Sequence, residues 1–326
     1  MDGTLKTNFL KQAGWGEAQI NPIAGDASFR QYARLQLGNK TAILMDSSQE
    51  KSSLKPFVQV QGYYNAQKYS VPQILAEDIT NGFLLLEDFG DAVFAKILQA
   101  SPAQEAELYN CAIDLLAAKL QDGISNYDLP YYNDELLERE VGLLVEWFLP
   151  AILPIEQVPT AAAEFMAAYN ICRAPIDITP KILVHRDFHA ENLYWLANCE
   201  GVGREGVKRV GMIDFQDAVL GSPAYDLVSL LEDARRDVAP ETVQAGLERF
   251  LQTAGLDEKT FRREYAFYGM QRNAKILGIF NRLNVRDKKP RYLELLPRVW
   301  GHFMHDVQHE DMVSMKEWVE KWGINI

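Results

Sequence analysis

The stretch "LVHRDFHAENLYW", residues 183–195, sets His185, Arg186 and Asp187 in a row behind an apolar run and reaches Asn192 five positions after the Asp. The flanking runs "KILV" and "LYWLA" read as short β-strands, so His185, Asp187, His189 and Asn192 fall on the loop between them. Loop side chains on a rigid scaffold are where chemistry concentrates. Working outward, Asp214 ends a further β-prone run, "KRVGMID", 22 residues after Asn192. The Gly-rich "NCEGVGREGV" between the two runs makes them a short hairpin.

The spacing has a chemical reason. An Asp on a loop can accept or orient an attacking hydroxyl, and an Asn one loop-turn later offers a neutral oxygen to a magnesium ion. Magnesium takes one or two protein carboxylates beside phosphate oxygens and water, so Asp214 is the natural second ligand. Either Asp alone could merely cap a loop. Order, spacing and flanking strands together fit H-R-D-x-x-x-x-N followed by a metal-binding Asp, an arrangement that moves the γ-phosphoryl group of ATP.

The rest of the chain bounds that reading. At 326 residues there is room for two lobes, and the net charge of −12 comes from scattered acids without a dense basic run, which argues against a nucleic-acid partner. Neither a signal-type apolar core nor a run long enough to span a membrane is seen, so the expected location is the cytoplasm, with no membrane partner. Cys111, Cys172 and Cys199 are odd in number and widely spaced, as reduced packing residues are.

The N-terminal part reads as strands, one helix, then strands. "FRQYARLQL" and "KTAILMD" flank the Gly38-Asn39 turn, a helix follows from about Leu54 to Tyr69, and "VPQILAED" and "GFLLLED" flank another turn. From Ser101 onward the pattern is mainly helical, with helices expected at 133–149, 159–173, 225–236, 240–254, 258–284 and 310–322. The fold class is therefore α+β, with two lobes: residues 1–90, a small β-rich nucleotide-binding lobe, and 91–326, a larger helical lobe with catalytic loop, metal site and acceptor site.

Two upstream segments suit a nucleotide. In "LLLEDFG" the connector residues Glu87, Asp88 and Phe89 could offer backbone groups to an adenine edge. In "AGDASFRQYARL" the small residues Gly25, Ala27 and Ser28 stand in a turn before a strand, where backbone N–H groups can approach phosphates; an ordinary turn explains them equally.

These residues, in this order, resemble the aminoglycoside phosphotransferase family, most specifically at "VHRDFHAEN" and "MIDFQDAVLGSPAYDL". The resemblance implies a protein-kinase-like fold, Asp187 as catalytic base, Asn192 and Asp214 as Mg2+ ligands, and Asp226 as an anchor for the catalytic loop. His189 is similar to the second His of the family's H-G-D-x-H-x-x-N loop, and is either a substrate contact or a hydrogen-bonded loop residue. Asp226 follows Asp214 by only twelve positions, too few for an activation loop, so a small-molecule kinase is favoured over a protein kinase.

One departure stands out. The family's third strand carries a Lys paired with a Glu on the next helix, whereas "TAILMDSS" has Met45 and Asp46 there, and the following helix lacks any acid. Joint absence of a buried pair is a different design rather than a damaged one. Arg30 is the cation expected to meet the phosphates in its place. "GDASFRQY", "DFQDA" and "RNAKILGIFNRLNVRDKKPRYL" look like the subgroup that phosphorylates the anomeric hydroxyl of N-acetylmuramate and N-acetylglucosamine in peptidoglycan recycling. For such a sugar, Gln216 and Asp217 are placed to meet a hydroxyl, and Arg272 and Lys275 a carboxylate. The rivals are an antibiotic phosphotransferase and a nucleotide-binding pseudokinase.

Overall fold

A computed structural model describes residues 2–23, 30–124, 127–196, 205–324 and 326. They group into two compact units, Met1–Gln104 with Ala190–Ala218, and Glu105–His189 with Val219–Ile326. The division thus falls after Gln104 rather than near Gly90, and a second piece of chain joins the first unit. Gly25, Ala27 and Ser28 lie outside the described residues.

The first unit is an antiparallel sheet in the order β1-β2-β3-β5-β4, built from β1 Gln19–Ile23, β2 Gln31–Leu37, β3 Lys40–Asp46, β4 Ile74–Asp78 and β5 Phe83–Leu86. The β2–β3 turn closes between Leu37 and Lys40, with Gly38 at φ 60° where a glycine is unstrained. Strand alternation then decides the two faces. Leu35, Ala42, Leu44, Phe83 and Leu85 form one core cluster with Phe9 and Leu10 of α1, Asp2–Gln12. On the other face Ile43 and Leu86 line a cavity that Phe57 of α2, Leu54–Ala66, also lines.

A second hairpin completes this unit, β7 Leu193–Trp195 against β8 Val210–Met212. It is stitched to α3, Phe94–Ala100, and to the chain before it. Trp195 N–H donates to the Ala92 carbonyl at 2.7 Å, Ala95 N–H donates to the Ala190 carbonyl at 3.0 Å, and the Phe94 and Trp195 rings meet edge to face. These bonds carry residues 92–100 and 190–218 into the unit that the sequence reading closed at residue 90.

The second unit is helical apart from the short antiparallel pair β6 Ile182–Val184 and β9 Val219–Gly221. Its helices are α4 Glu105–Asp122, α5 Asp134–Leu143, α6 Leu149–Ile152, α7 Val158–Arg173, α8 Pro223–Leu231, α9 Pro240–Ala254, α10 Glu258–Val285, α11 Leu296–Asp306 and α12 Val313–Trp322. The helix expected over 133–149 is interrupted by a π-turn at Leu144–Phe148. The 28-residue α10 packs against α5, α8 and α11. Its Gly278 has no room for a side chain, because a Cβ there would lie 2.3 Å from the Leu143 carbonyl. Among the described residues no helix is long and apolar enough to cross a membrane.

Candidate active site

Arg186 and Asp214 both hold left-handed backbones, at φ 74° and φ 63°. Such a conformation costs roughly 1–2 kcal/mol outside glycine, so the surroundings must impose it. For Arg186 they are visible in the helical unit. Asp226 of α8, fully buried, accepts the His185 N–H at 2.7 Å and the Arg186 N–H at 2.9 Å, and Lys119 of α4 lies 3.2 Å away. Ser229 Oγ donates to the Arg186 carbonyl at 3.3 Å, and the Arg186 guanidinium bonds Glu140 of α5. Glu140 also accepts from the Tyr132 hydroxyl and from Lys275 Nζ, the latter at 2.9 Å. Lys275, read from the sequence as a substrate contact, is thus held by Glu140 and, at 3.1 Å, by the Tyr225 hydroxyl.

Asp187 stands on the loop these bonds fix. Burial alone would raise its carboxyl, but His189, Lys275, Arg186 and His185 hold it below the ordinary carboxylate value. His189 is 3% exposed, donates its backbone N–H to the Asp187 carbonyl at 3.0 Å and brings Nε2 within 3.2 Å of Arg235 Nη1. Burial first, and Arg235 second, push it down to about 4, against Asp233 and Asp187. At neutral pH His189 is therefore uncharged, and Lys275 and Arg186 are the fixed cations among the groups acting on Asp187. Arginine can only donate, so His189 Nε2 accepts and the ring proton sits on Nδ1.

In the sheet unit, the end of the β7–β8 hairpin carries Asn192 and Asp214; the Ile213 N–H donates to the Asn192 carbonyl at 3.1 Å. Phe215, fully buried, packs on the Phe57 and Tyr64 rings of α2 at 4.8 and 5.8 Å, which anchors the chain next to Asp214. The Asp214 side chain is 41% exposed, and Arg30 Nη2 lies 3.6 Å from its Oδ1. Gln216 turns inward, its Nε2 donating to Asp214 Oδ1 and to the exposed Asp217, each at 3.2 Å. Gln216, expected from the sequence to meet an acceptor hydroxyl, thereby also supports Asp214. Asn192 and Asp214 are hard oxygen donors, and Asp214 is open enough for an ion that keeps several waters, so the pair fits magnesium.

Met45, where the family's lysine is expected, is fully buried and pairs with Tyr32 and Leu84. The adjacent Asp46 points to the α1 face and meets Lys6 at 2.6 Å. The buried face of α2 offers Gln61, which donates to the Pro72 carbonyl. β3 thus has no lysine at that position, and α2 carries no Asp or Glu to pair with one.

A cavity of about 220 Å³ opens in the same unit, lined by Ile43, Phe57, Leu86, Glu87, Asp88, Phe89, Asn192 and Asp214 among others. Apolar walls with a few convergent polar groups suit a planar base and its phosphates. The connector is braced by Arg34, which bonds Asp88 at 2.8 Å, Asp91 at 2.9 Å and the Gly90 carbonyl at 2.8 Å. The Glu87 N–H donates to the Gln73 carbonyl at 2.8 Å, which ties the connector to the chain before β4. Phe89 lies over Gly211, where a Cβ would come within 2.7 Å of its ring.

Arg34, Lys119, Glu140 and Arg235 were not assigned from the sequence. Glu140 had a legible signal, an acid at the core-facing spacing Leu137, Glu140, Val141. The others depend on which distant carboxylate or ring the fold brings up.

A model of the phosphotransferase enzyme family matches residues 19–265. The N-acetylmuramate/N-acetylglucosamine kinase of Caulobacter vibrioides is 37% identical over 97% of this chain and 95% of its own, and that of Pseudomonas aeruginosa is 33% identical over 93% and 88%. Among solved structures, ADP-bound aminoglycoside phosphotransferase APH(2'')-Ib superposes with TM-score 0.65 at 15% identity, over 93% of this chain and 99% of its own. That last likeness is one of fold.

Proposed function

Because the chain belongs to the phosphotransferase enzyme family, we propose that it transfers the γ-phosphoryl group of ATP to the anomeric hydroxyl of a cell-wall amino sugar, N-acetylmuramate or N-acetylglucosamine. The observation that carries the acceptor class is identity of 37% to a kinase of these sugars along nearly the whole of both chains. Phosphotransfer to a hydroxyl follows from the family itself.

In this reading Asp187 orients the anomeric hydroxyl and takes its proton as the oxygen bonds to the γ-phosphorus and the bond to ADP breaks. A carboxyl held below its ordinary pKa is a weak base. That is sufficient here, because the ring oxygen acidifies an anomeric hydroxyl and the transfer is largely a matter of positioning and charge. Asn192 and Asp214 would hold magnesium, which when bound neutralises charge on the phosphates. Arg30, near Asp214, supplies the cation that Met45 cannot. The apolar walls of Ile43, Phe57 and Leu86 take the base, and Arg34 keeps the connector in place behind it.

The test is an acceptor screen with ATP and magnesium over N-acetylmuramate, N-acetylglucosamine, glucose, choline and kanamycin. Turnover confined to the two amino sugars is expected. Preferred turnover of kanamycin would overturn the reading, and nucleotide binding without turnover of any acceptor would favour a pseudokinase.

A further inference from the structure

We propose that Arg272 binds the carboxylate of an acidic amino-sugar acceptor, so that the chain selects the 3-O-lactyl sugar acid over its neutral counterpart. The inference rests on the amino-sugar reading and adds the residue and the charge that choose between its two acceptors.

Arg272 is 4% exposed, yet its one hydrogen bond to a described residue is a long one, from Nη1 to the Glu232 carbonyl at 3.5 Å. Among the described residues no carboxylate oxygen lies within 4.0 Å of it. Other arginines of the helical unit are bound to acids, Arg186 to Glu140, Arg236 to Glu105, Arg263 to Asp311 and Arg298 to Asp237. The acids close to Arg272 are turned elsewhere. Glu232 Oε2 accepts from Asn273 at 2.7 Å and Asp306 Oδ2 from the same amide at 3.0 Å. Burial and the Glu232 charge hold Asp306 well above the ordinary carboxylate value, so it adds little negative charge. A buried guanidinium without a close counter-ion is costly, and a ligand carboxylate would remove that cost while accepting two parallel N–H bonds.

The placement fits the acceptor. Arg272 and Lys275 stand one turn apart on α10, Lys275 acting on the charge of Asp187 and Arg272 on that of His189, two residues along the same loop. Lys275 is already occupied by Glu140 at 2.9 Å, whereas Arg272 has no carboxylate partner among the described residues. Arg235, half-buried beside His189, adds positive charge on the same side. A polycationic acceptor would be repelled there, while a sugar acid would be drawn in.

The test compares kcat/KM of the full chain and its Arg272→Gln variant for N-acetylmuramate, its carboxamide and N-acetylglucosamine. Glutamine retains a donor for the Glu232 carbonyl. Expected are a roughly 10- to 100-fold fall in the N-acetylmuramate to N-acetylglucosamine ratio, mainly through KM, and a similar handicap of the carboxamide with the unaltered chain. An unchanged ratio, or a carboxamide used as well as the acid, would overturn the assignment. Should the variant fail to fold, the acid and carboxamide comparison decides it alone. If the unaltered chain phosphorylates neither sugar, the amino-sugar reading fails and this inference with it; turnover of both with an unmoved ratio sinks only the role of Arg272.

Discussion

His189 illustrates how burial turns a titratable residue into scaffold. Its pKa falls from the ordinary 6.5 to about 4, with burial the main cause and Arg235 the next. The unfolded chain therefore binds this proton more readily than the folded one, and the stability tied to a neutral His189 is complete above pH 6.5 and is lost as pH falls toward 4. Across that window the loss amounts to about 3 kcal/mol. Urea unfolding at pH 7 and pH 4 should show the unaltered chain losing about that much more than a His189→Asn variant. Equal losses in the two proteins would mean that the imidazole already titrates normally in the folded state. From the sequence the residue could be read either as a substrate contact or as a loop histidine. Its partner Arg235 follows it by 46 positions and is brought to it only by the fold.

At the scale of elements, legibility followed the strength of the local pattern. Strands β2, β3 and β5 and helices α9 and α10 carry clear apolar periodicity and stand where the sequence puts them. Strand β1, "QINPI", was missed because it has an exposed side chain at four of five positions and a proline, which an edge strand tolerates. Among the described side chains of helix α1 only Phe9 and Leu10 are buried, too little for a period to show. By contrast α11 had a readable stripe at Val299, Trp300 and Phe303 that Gly301 obscured.

Gly278 and Gly142 give the packing of α10 against α5 a direct test. Alanine favours a helix interior over glycine by about 1 kcal/mol. At Gly142 nothing beyond the helix's own neighbouring backbone lies within 4 Å of the new Cβ, so Gly142→Ala should stabilise by up to that amount. At Gly278 the Cβ would strike the Leu143 backbone, and overpacking at a typical cost of about 1–3 kcal/mol outweighs the propensity gain. Denaturant melts should move in opposite directions for the two variants. Stabilisation by Gly278→Ala would mean that α10 and the end of α5 are not in such close contact.

For the whole molecule, the protein-kinase-like α+β class was legible because one loop carries it. Asp187 and Asn192 with Asp214 after a hairpin is a pattern whose parts need one another chemically, and it survives the loss of the third-strand lysine. The extent of each unit was less legible, since Ala190–Ala218 belongs with strands that precede it by a hundred residues or more and no local signal marks that return. The acceptor was least legible of all: its selectivity hangs on which buried cations already have a carboxylate, a property of tertiary pairing that helix spacing does not reveal.

Phosphorus NMR of a reaction containing this chain, ATP, magnesium and N-acetylmuramate tests the central claim most directly. A phosphomonoester resonance coupled to the anomeric proton should grow as ATP turns to ADP, and it should be absent with Asp187→Ala. A product phosphorylated elsewhere on the sugar, release of inorganic phosphate alone, or undiminished product with Asp187→Ala would contradict it.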